Sequence, residues 1–224
     1  MRTPEIHYGT NFGKYIVSLI VNNKSIQRVI EIGSGSGNGS TQCLAAALQA
    51  NQTENTKLVC MEPTEYFSDL EKNTENFSFV ECHKNTSISY DSFSLKNYED
   101  YISYCIEHRE VLNSLKGREL ESVREDLESR INWYNQDIVH FKGSDTGVLN
   151  NLTEDYDLCL IDGSEFSGYD EFLLVKDRVS IILLDDDNEY KNYKTKLHLS
   201  EDNDWICVGH EAERNGWSSW IRRK

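Results

Sequence analysis

The sequence predicts an α/β fold with a doubly wound, mostly parallel sheet, and three observations carry that prediction. Arg28–Leu44 reads RVIEIGSGSGNGSTQCL, in which an apolar strand (Val29, Ile30, Ile32) passes through Gly33, Gly35, Gly37 and Gly39 into Ser40, Thr41 and an Ala/Leu helix. Tyr156–Ile161 and Val179–Leu184 are apolar runs of the kind buried on both faces in parallel sheets, and they stop at Asp162 and at Asp185, Asp186 and Asp187. Trp205–Gly209 and Trp217–Arg222, joined by a turn containing Asn215 and Gly216, read as a closing antiparallel hairpin.

The remaining elements follow from periodicity. Phe12, Tyr15, Ile16, Leu19 and Ile20 recur at helical spacing ahead of the first strand, and Ser40–Ala50 is the helix after the glycine loop. LVCMEP is a second strand ending at Glu62, Thr64–Lys72 a helix opened by Pro63, and Phe77–Cys82 a third strand. From Phe93 to Gln136 two apolar stripes, Tyr98, Tyr101, Ile102, Cys105 and then Leu120, Val123, Leu127, Ile131, Tyr134, predict an inserted helical hairpin. That hairpin is a substrate lid, a dimer contact or a solvated flap. Asp137–Phe141 reads as a further short strand and Val148–Leu152 as a short helix. The length of 224 residues suits one domain, 1–224, carrying an insertion at about 93–136.

Composition narrows the partners. Lys and Arg total 23 against 38 Asp and Glu, a net charge of -15 that repels phosphate backbones and anionic membrane surfaces. Neither nucleic acid nor a membrane is therefore expected as partner. The apolar run Tyr15–Val21 is far shorter than the roughly 20 residues that span a bilayer, and no cleavage site follows it. The 6 cysteines form no C-x-x-C pair and read as reduced core residues, so a cytoplasmic location is expected.

Glycine is needed where the backbone takes positive φ or a ligand lies against it, and the helix start beyond the loop offers free N–H groups. A nucleotide-like ligand is expected there. The dinucleotide fingerprint G-x-G-x-x-G fits poorly, because its third glycine would fall on Asn38 counting from Gly33, or on Ser40 counting from Gly35. An acid somewhat more than 20 residues past the loop, Glu62, is placed to accept from both hydroxyls of a ribose, or is simply a solvated strand-end glutamate. Ligands of open α/β sheets bind beyond the carboxyl ends of the strands, where Glu31, Glu62, Asp162, Asp185 and Asp186 are expected to converge. Such a crowd of acids calls for cations, and Asp162 with Asp185 and Asp186 would offer Mg²⁺ the hard oxygen ligands it prefers. The same aspartates also serve as a plain strand-end cap.

The stretch resembles motif I of the class I S-adenosylmethionine (SAM)-dependent methyltransferases, matched by Val29, Ile30, Glu31, Ile32, Gly33, Gly35 and Gly37. The resemblance implies a Rossmann-like seven-stranded sheet closed by the C-terminal hairpin. It also implies SAM as cofactor, held by Glu31, Gly33, Ser34, Gly35, Gly37, Glu62 and Asp162. The acids after the fourth and fifth strands are similar to those of metal-dependent O-methyltransferases, which implies Mg²⁺ on Asp162, Asp185 and Asp186 and methylation of a small-molecule or carbohydrate hydroxyl. The chain departs from that pattern after Asp162, where Ser164 and Glu165 replace the usual acid and lysine, leaving Glu165 with Asp162 as the catalytic candidates. An NAD-linked oxidoreductase and a non-catalytic SAM-binding scaffold are the competing readings.

Overall fold

The structure, a computed structural model, describes residues 5–212 and 214–223. In chain order its elements are α1 (Asn11–Asn22), β1 (Arg28–Ile32), α2 (Ser40–Ala50), β2 (Lys57–Met61), α3 (Phe67–Thr74), β3 (Val80–His83), α4 (Tyr98–Glu107), α5 (Leu120–Ser129) and α6 (Ile131–Lys142). They continue with α7 (Val148–Asn151), β4 (Tyr156–Ile161), α8 (Gly168–Val175), β5 (Val179–Asp185), α9 (Tyr190–Glu201), β6 (Trp205–Glu211) and β7 (Trp217–Arg222). The strands form one 7-stranded sheet in the order β3-β2-β1-β4-β5-β7-β6, with β7 antiparallel to both of its neighbours. A dinucleotide-binding sheet runs 3-2-1-4-5-6. The reversed strand between β5 and β6 therefore departs from the order an NAD-linked enzyme would be expected to show.

Side chains alternate across a strand, and the two faces of this sheet build separate cores. Val29, Leu58, Cys60, Leu158, Leu160, Ile181 and Leu183 pack with Ile16 and Ile20 of α1, Leu44 and Leu48 of α2 and Leu70 of α3. Ile30, Ile32, Val59, Met61, Cys159, Ile161, Ile182 and Leu184 pack against the opposite layer, including Tyr101, Val123, Ile138, Phe172 and Leu199. Burying a side chain of this size contributes roughly 1.5–3 kcal/mol.

The register positions the site. Ile32 pairs with Met61 and with Ile161, and Ile161 pairs with Leu184. Gly33, Glu62, Asp162 and Asp185, each one residue further on, consequently stand along a single edge of the sheet.

Several elements differ from the sequence expectation. Asp137–Phe141 is not a strand but the end of α6, because Tyr134, Ile138 and Phe141 are buried at helical spacing while Val139 is exposed. The helix after Pro63 starts at Phe67, since Thr64 is engaged by Glu62, and the third strand starts at Val80, Phe77 and Phe79 lying in the turn before it. In place of the expected two-helix hairpin at 93–136 there are three helices, α4, α5 and α6, because the second stripe is divided at Arg130, which caps α5 and opens α6, and α6 runs past Gln136 to Lys142. Helices α8 and α9 complete the crossovers between successive strands. No helix among the described residues is long and apolar enough to cross a membrane. All 6 cysteines are free, with Cys43, Cys60, Cys105 and Cys159 buried, Cys82 half-buried and Cys207 exposed.

Candidate active site

The glycine loop is shaped by two neighbours. Gly33 has φ +86°, and a Cβ there would stand 2.2 Å from the Asp162 carbonyl oxygen, so the loop lies directly against the end of β4. At Gly35, φ +52°, a Cβ would meet nothing within 4 Å, which leaves the loop's outer backbone open to a ligand. Ser34 ties the loop to β2 through its N–H, which donates to the Met61 carbonyl at 3.2 Å.

Glu31 does not stand on the rim with the other acids. It belongs to β1 itself, is fully buried on the α2 side, and accepts from Ser40 Oγ at 2.6 Å and Thr41 Oγ1 at 2.8 Å. Burial raises its pKa, and the bonds from Ser40, Thr41 and Cys60 pull it back down. Its structural effect is to bolt the strand to the first turn of α2, which fixes the loop between them.

A cavity of about 470 Å³ opens beside the loop, lined by Gly33, Gly35, Glu62, Ser87, Asp162 and Glu165 among others. This size falls within the range of small-molecule sites. Glu62 is nearly buried and is oriented by Thr64, whose N–H and Oγ1 donate to Oε1 at 2.9 and 2.5 Å. Helix α6 lines the same cavity with Trp133, Asp137 and Phe141, so it shapes the space that Glu62 enters. Asp137 accepts from Ser164 Oγ at 2.5 Å, and burial raises its pKa.

Two glutamates of this cavity are held close to neutrality. Glu165 is pushed up to about 7 by burial, against the pull of Arg130, whose Nη1 lies 3.6 Å away, and of Lys191. Glu171 is also pushed up to about 7 by burial, although Ser87 Oγ (2.5 Å) and Ser167 Oγ (2.8 Å) donate to its Oε1. Its Oε2 has no hydrogen-bond partner. A carboxyl group poised near pH 7 is suited to taking up a proton at neutral pH.

A second cavity, about 600 Å³, lies on the other side of the loop and reaches Asp162, Asp186 and Lys191. Lys191 was not singled out from the sequence, yet it organises the acids there. Its Nζ donates to Asp162 Oδ1 and stands 3.7 Å from Asp186 Oδ2. Burial alone would lower its pKa, but the negative charges of Asp162, Asp185 and Asp186 outweigh that and keep the ammonium charged. Asp185 is pushed up to about 8 by burial and by the neighbouring Asp162 charge. Arg214 approaches from the far side, 3.9 Å from Asp185, 3.7 Å from Asp186 and 2.6 Å from Glu5. Asp187 is paired instead with Lys196, at 3.1 Å.

Among the described residues, the group of three carboxylates close enough together to share an ion is Glu5, Asp185 and Asp186. Asp162 is outside that group and is engaged by Lys191. The residues therefore do not fit Mg²⁺ shared by Asp162, Asp185 and Asp186, because a divalent ion between Asp162 and Asp186 would compete with an ammonium already there.

Sequence offered one hint of these partners, the position of Lys191 soon after the triple aspartate. Asp137 and Arg214 come from distant segments and carried no such hint, and Arg130 is legible only as the i,i+4 partner of Asp126, 2.9 Å away, not as the neighbour of Glu165.

No family model matches the sequence, and no curated protein matches it. Solved structures do. An O-methyltransferase from Bacillus cereus, in complex with SAH, superposes with a TM-score of 0.55 at 12% identity, covering 98% of this chain and 84% of that one. A methyltransferase from Geobacter sulfurreducens gives 0.54 at 12%, covering 96% and 79%. The O-methyltransferase TomG from Streptomyces achromogenes, involved in tomaymycin synthesis and in complex with SAM, gives 0.53 at 13%, covering 95% and 80%. The chain shares with these methyltransferases the Rossmann-like seven-stranded fold closed by an antiparallel hairpin.

Proposed function

We propose that the chain is a SAM-dependent methyltransferase acting on a hydroxyl group of a small-molecule or carbohydrate acceptor. The observation that carries the reading is the glycine loop open at Gly35, set at one sheet edge beside the nearly buried Glu62, in a fold whose solved examples include SAM and SAH complexes. Gly33, Ser34, Gly35 and Gly37 would follow the methionine part of the cofactor, with Glu31 holding the loop in shape from beneath. Glu62 would accept from the ribose hydroxyls, and Ser87, Asp137 and Phe141 would surround the base. Asp162, held by Lys191, would face the methionine end of the cofactor beside Gly33 and Gly35.

Bound there, SAM supplies an electrophilic methyl group. The protein's part is to align the acceptor oxygen, exclude water and take the hydroxyl proton, and Glu165 is the base this reading assigns, since burial leaves it able to take up a proton near pH 7. The net charge of -15 argues for small acceptors over nucleic acid or a membrane surface, and the free cysteines for a cytoplasmic enzyme. Exposed Leu120, Ile131 and Val139 make α5 and α6 the candidate contact for a homodimer.

Calorimetric titration with SAM, SAH and NAD is the test, followed by methyl transfer to a panel of hydroxylated acceptors. Binding of SAM and SAH without NAD is expected. Binding of NAD alone would overturn the reading, and SAM binding with no transfer to any acceptor would favour a scaffold.

A further inference from the structure

The start of α9 is held in place by contacts on both sides of the Lys191 backbone. Asn192 Nδ2 donates to the carbonyl oxygens of Ile161 (3.0 Å) and Asp185 (2.6 Å), which pins the helix to the ends of β4 and β5 at once. From α8, Gly168 approaches so closely that a Cβ there would stand 2.2 Å from the Lys191 carbonyl oxygen. Between these two clamps the Lys191 side chain is 8% exposed, and its ammonium reaches Asp162 and Asp186.

We propose that the Lys191 ammonium is the resident cation of this acidic edge and takes the place of a divalent ion, so that the chain works without a metal. The proposal rests on the methyltransferase reading, in which the acids face the cofactor and acceptor. Mg²⁺ demands near-octahedral oxygen ligation at short range. Here Asp162 Oδ1 is engaged by Lys191, and Arg214 lies within 4 Å of both Asp185 and Asp186 from the other side. A doubly charged ion placed beside the buried Lys191 ammonium would be repelled with little screening by solvent. Glu5 offers no relief, because it is exposed and already bonded by Arg214 at 2.6 Å. Lys191 is thus a positioning residue: it fixes the Asp162 carboxylate and neutralises the edge in a way that a bound metal would do in its absence.

Electron paramagnetic resonance of Mn²⁺ titrated into the full chain tests this. In wild type the spectrum of free aqueous Mn²⁺ is expected to persist. Lys191→Ala frees Asp162 and removes one positive charge, so it is expected to bind Mn²⁺ at least about tenfold more tightly than wild type. Lys191→Arg, which keeps the charge, is expected to behave as wild type. Stoichiometric Mn²⁺ binding by wild type, or a folded Lys191→Ala that binds no more tightly, would overturn the proposal. Should Lys191→Ala lose its native circular dichroism, recovery on adding Mn²⁺ supports the proposal and failure to recover overturns it. These readouts need no methyl transfer, so they stand apart from the cofactor reading, which the SAM and SAH titration tests by itself.

Discussion

Replacing Glu171 by glutamine isolates the electrostatic cost of the cavity's buried carboxyls. Glu171 is 1% exposed, its Oε2 has no hydrogen-bond partner, and burial lifts its pKa from 4.5 to about 7. Below pH 4.5 the group is protonated in both the folded and the unfolded chain and favours neither. As pH rises through 4.5 toward 7 the unfolded chain releases the proton first, so the folded state binds more protons and loses stability. A rise of that size corresponds to about 3 kcal/mol at full ionisation, at 1.36 kcal/mol per pKa unit. Glutamine keeps a carbonyl oxygen for Ser87 and Ser167 but cannot ionise. Glu171→Gln should therefore match wild type near pH 4.5 and gain on it progressively, reaching about 3 kcal/mol above pH 7, or a melting temperature roughly 6–12 °C higher for a chain of this length. Urea unfolding of both proteins at pH 4.5, 6 and 8 measures it. A difference that stays constant across that range, or shrinks as pH rises, would refute the reasoning.

Three further outcomes concern the proposed chemistry. Glu62→Ala should weaken SAM by about 1.5–3 kcal/mol, the value of hydrogen bonds to a charged acceptor, with the melting temperature of the free protein checked alongside because Thr64 also loses its partner; unchanged calorimetric affinity would count against the ribose role. Gly35→Val puts a branched side chain at φ +52° and into the open face of the loop, so SAM affinity should fall by at least about tenfold, with a fold penalty of roughly 1–2 kcal/mol. The methyl-transfer rate should rise with pH through about 7 as Glu165 loses its proton, and Glu165→Gln should flatten that limb and lower the plateau. A wild-type pH profile retained in the variant would assign the base elsewhere.

What the sequence determined by itself was the set of features that depend on neighbouring residues. The strand, glycine loop and helix of Arg28–Leu44 are local, and strand-end positions such as Glu62, Asp162 and Asp185 follow from where apolar runs stop. Register then carries Glu62, Asp162 and Asp185 to one edge, because the parallel strands pair with Ile32, Met61, Ile161 and Leu184 side by side. Parity along a strand is another matter. Glu31 reads as one more acid near a strand end, but the alternation of β1 turns it beneath the loop toward Ser40 and Thr41. Helix α9 escapes a reading by periodicity, since its buried face includes Lys191, Asn192 and Thr195, and polar residues inside a helix look like a solvated run. Its meaning exists only once β4 and β5 bring Asp162 and Asp186 beside it. The same holds for the pairs Asp137–Ser164, Arg130–Glu165 and Arg214–Asp186, which lie 27, 35 and 28 residues apart along the chain, although Arg130 also keeps Asp126 four residues away. Charge pairing across such distances is decided by the tertiary packing that removes water from between the groups, and no local pattern in the sequence encodes it.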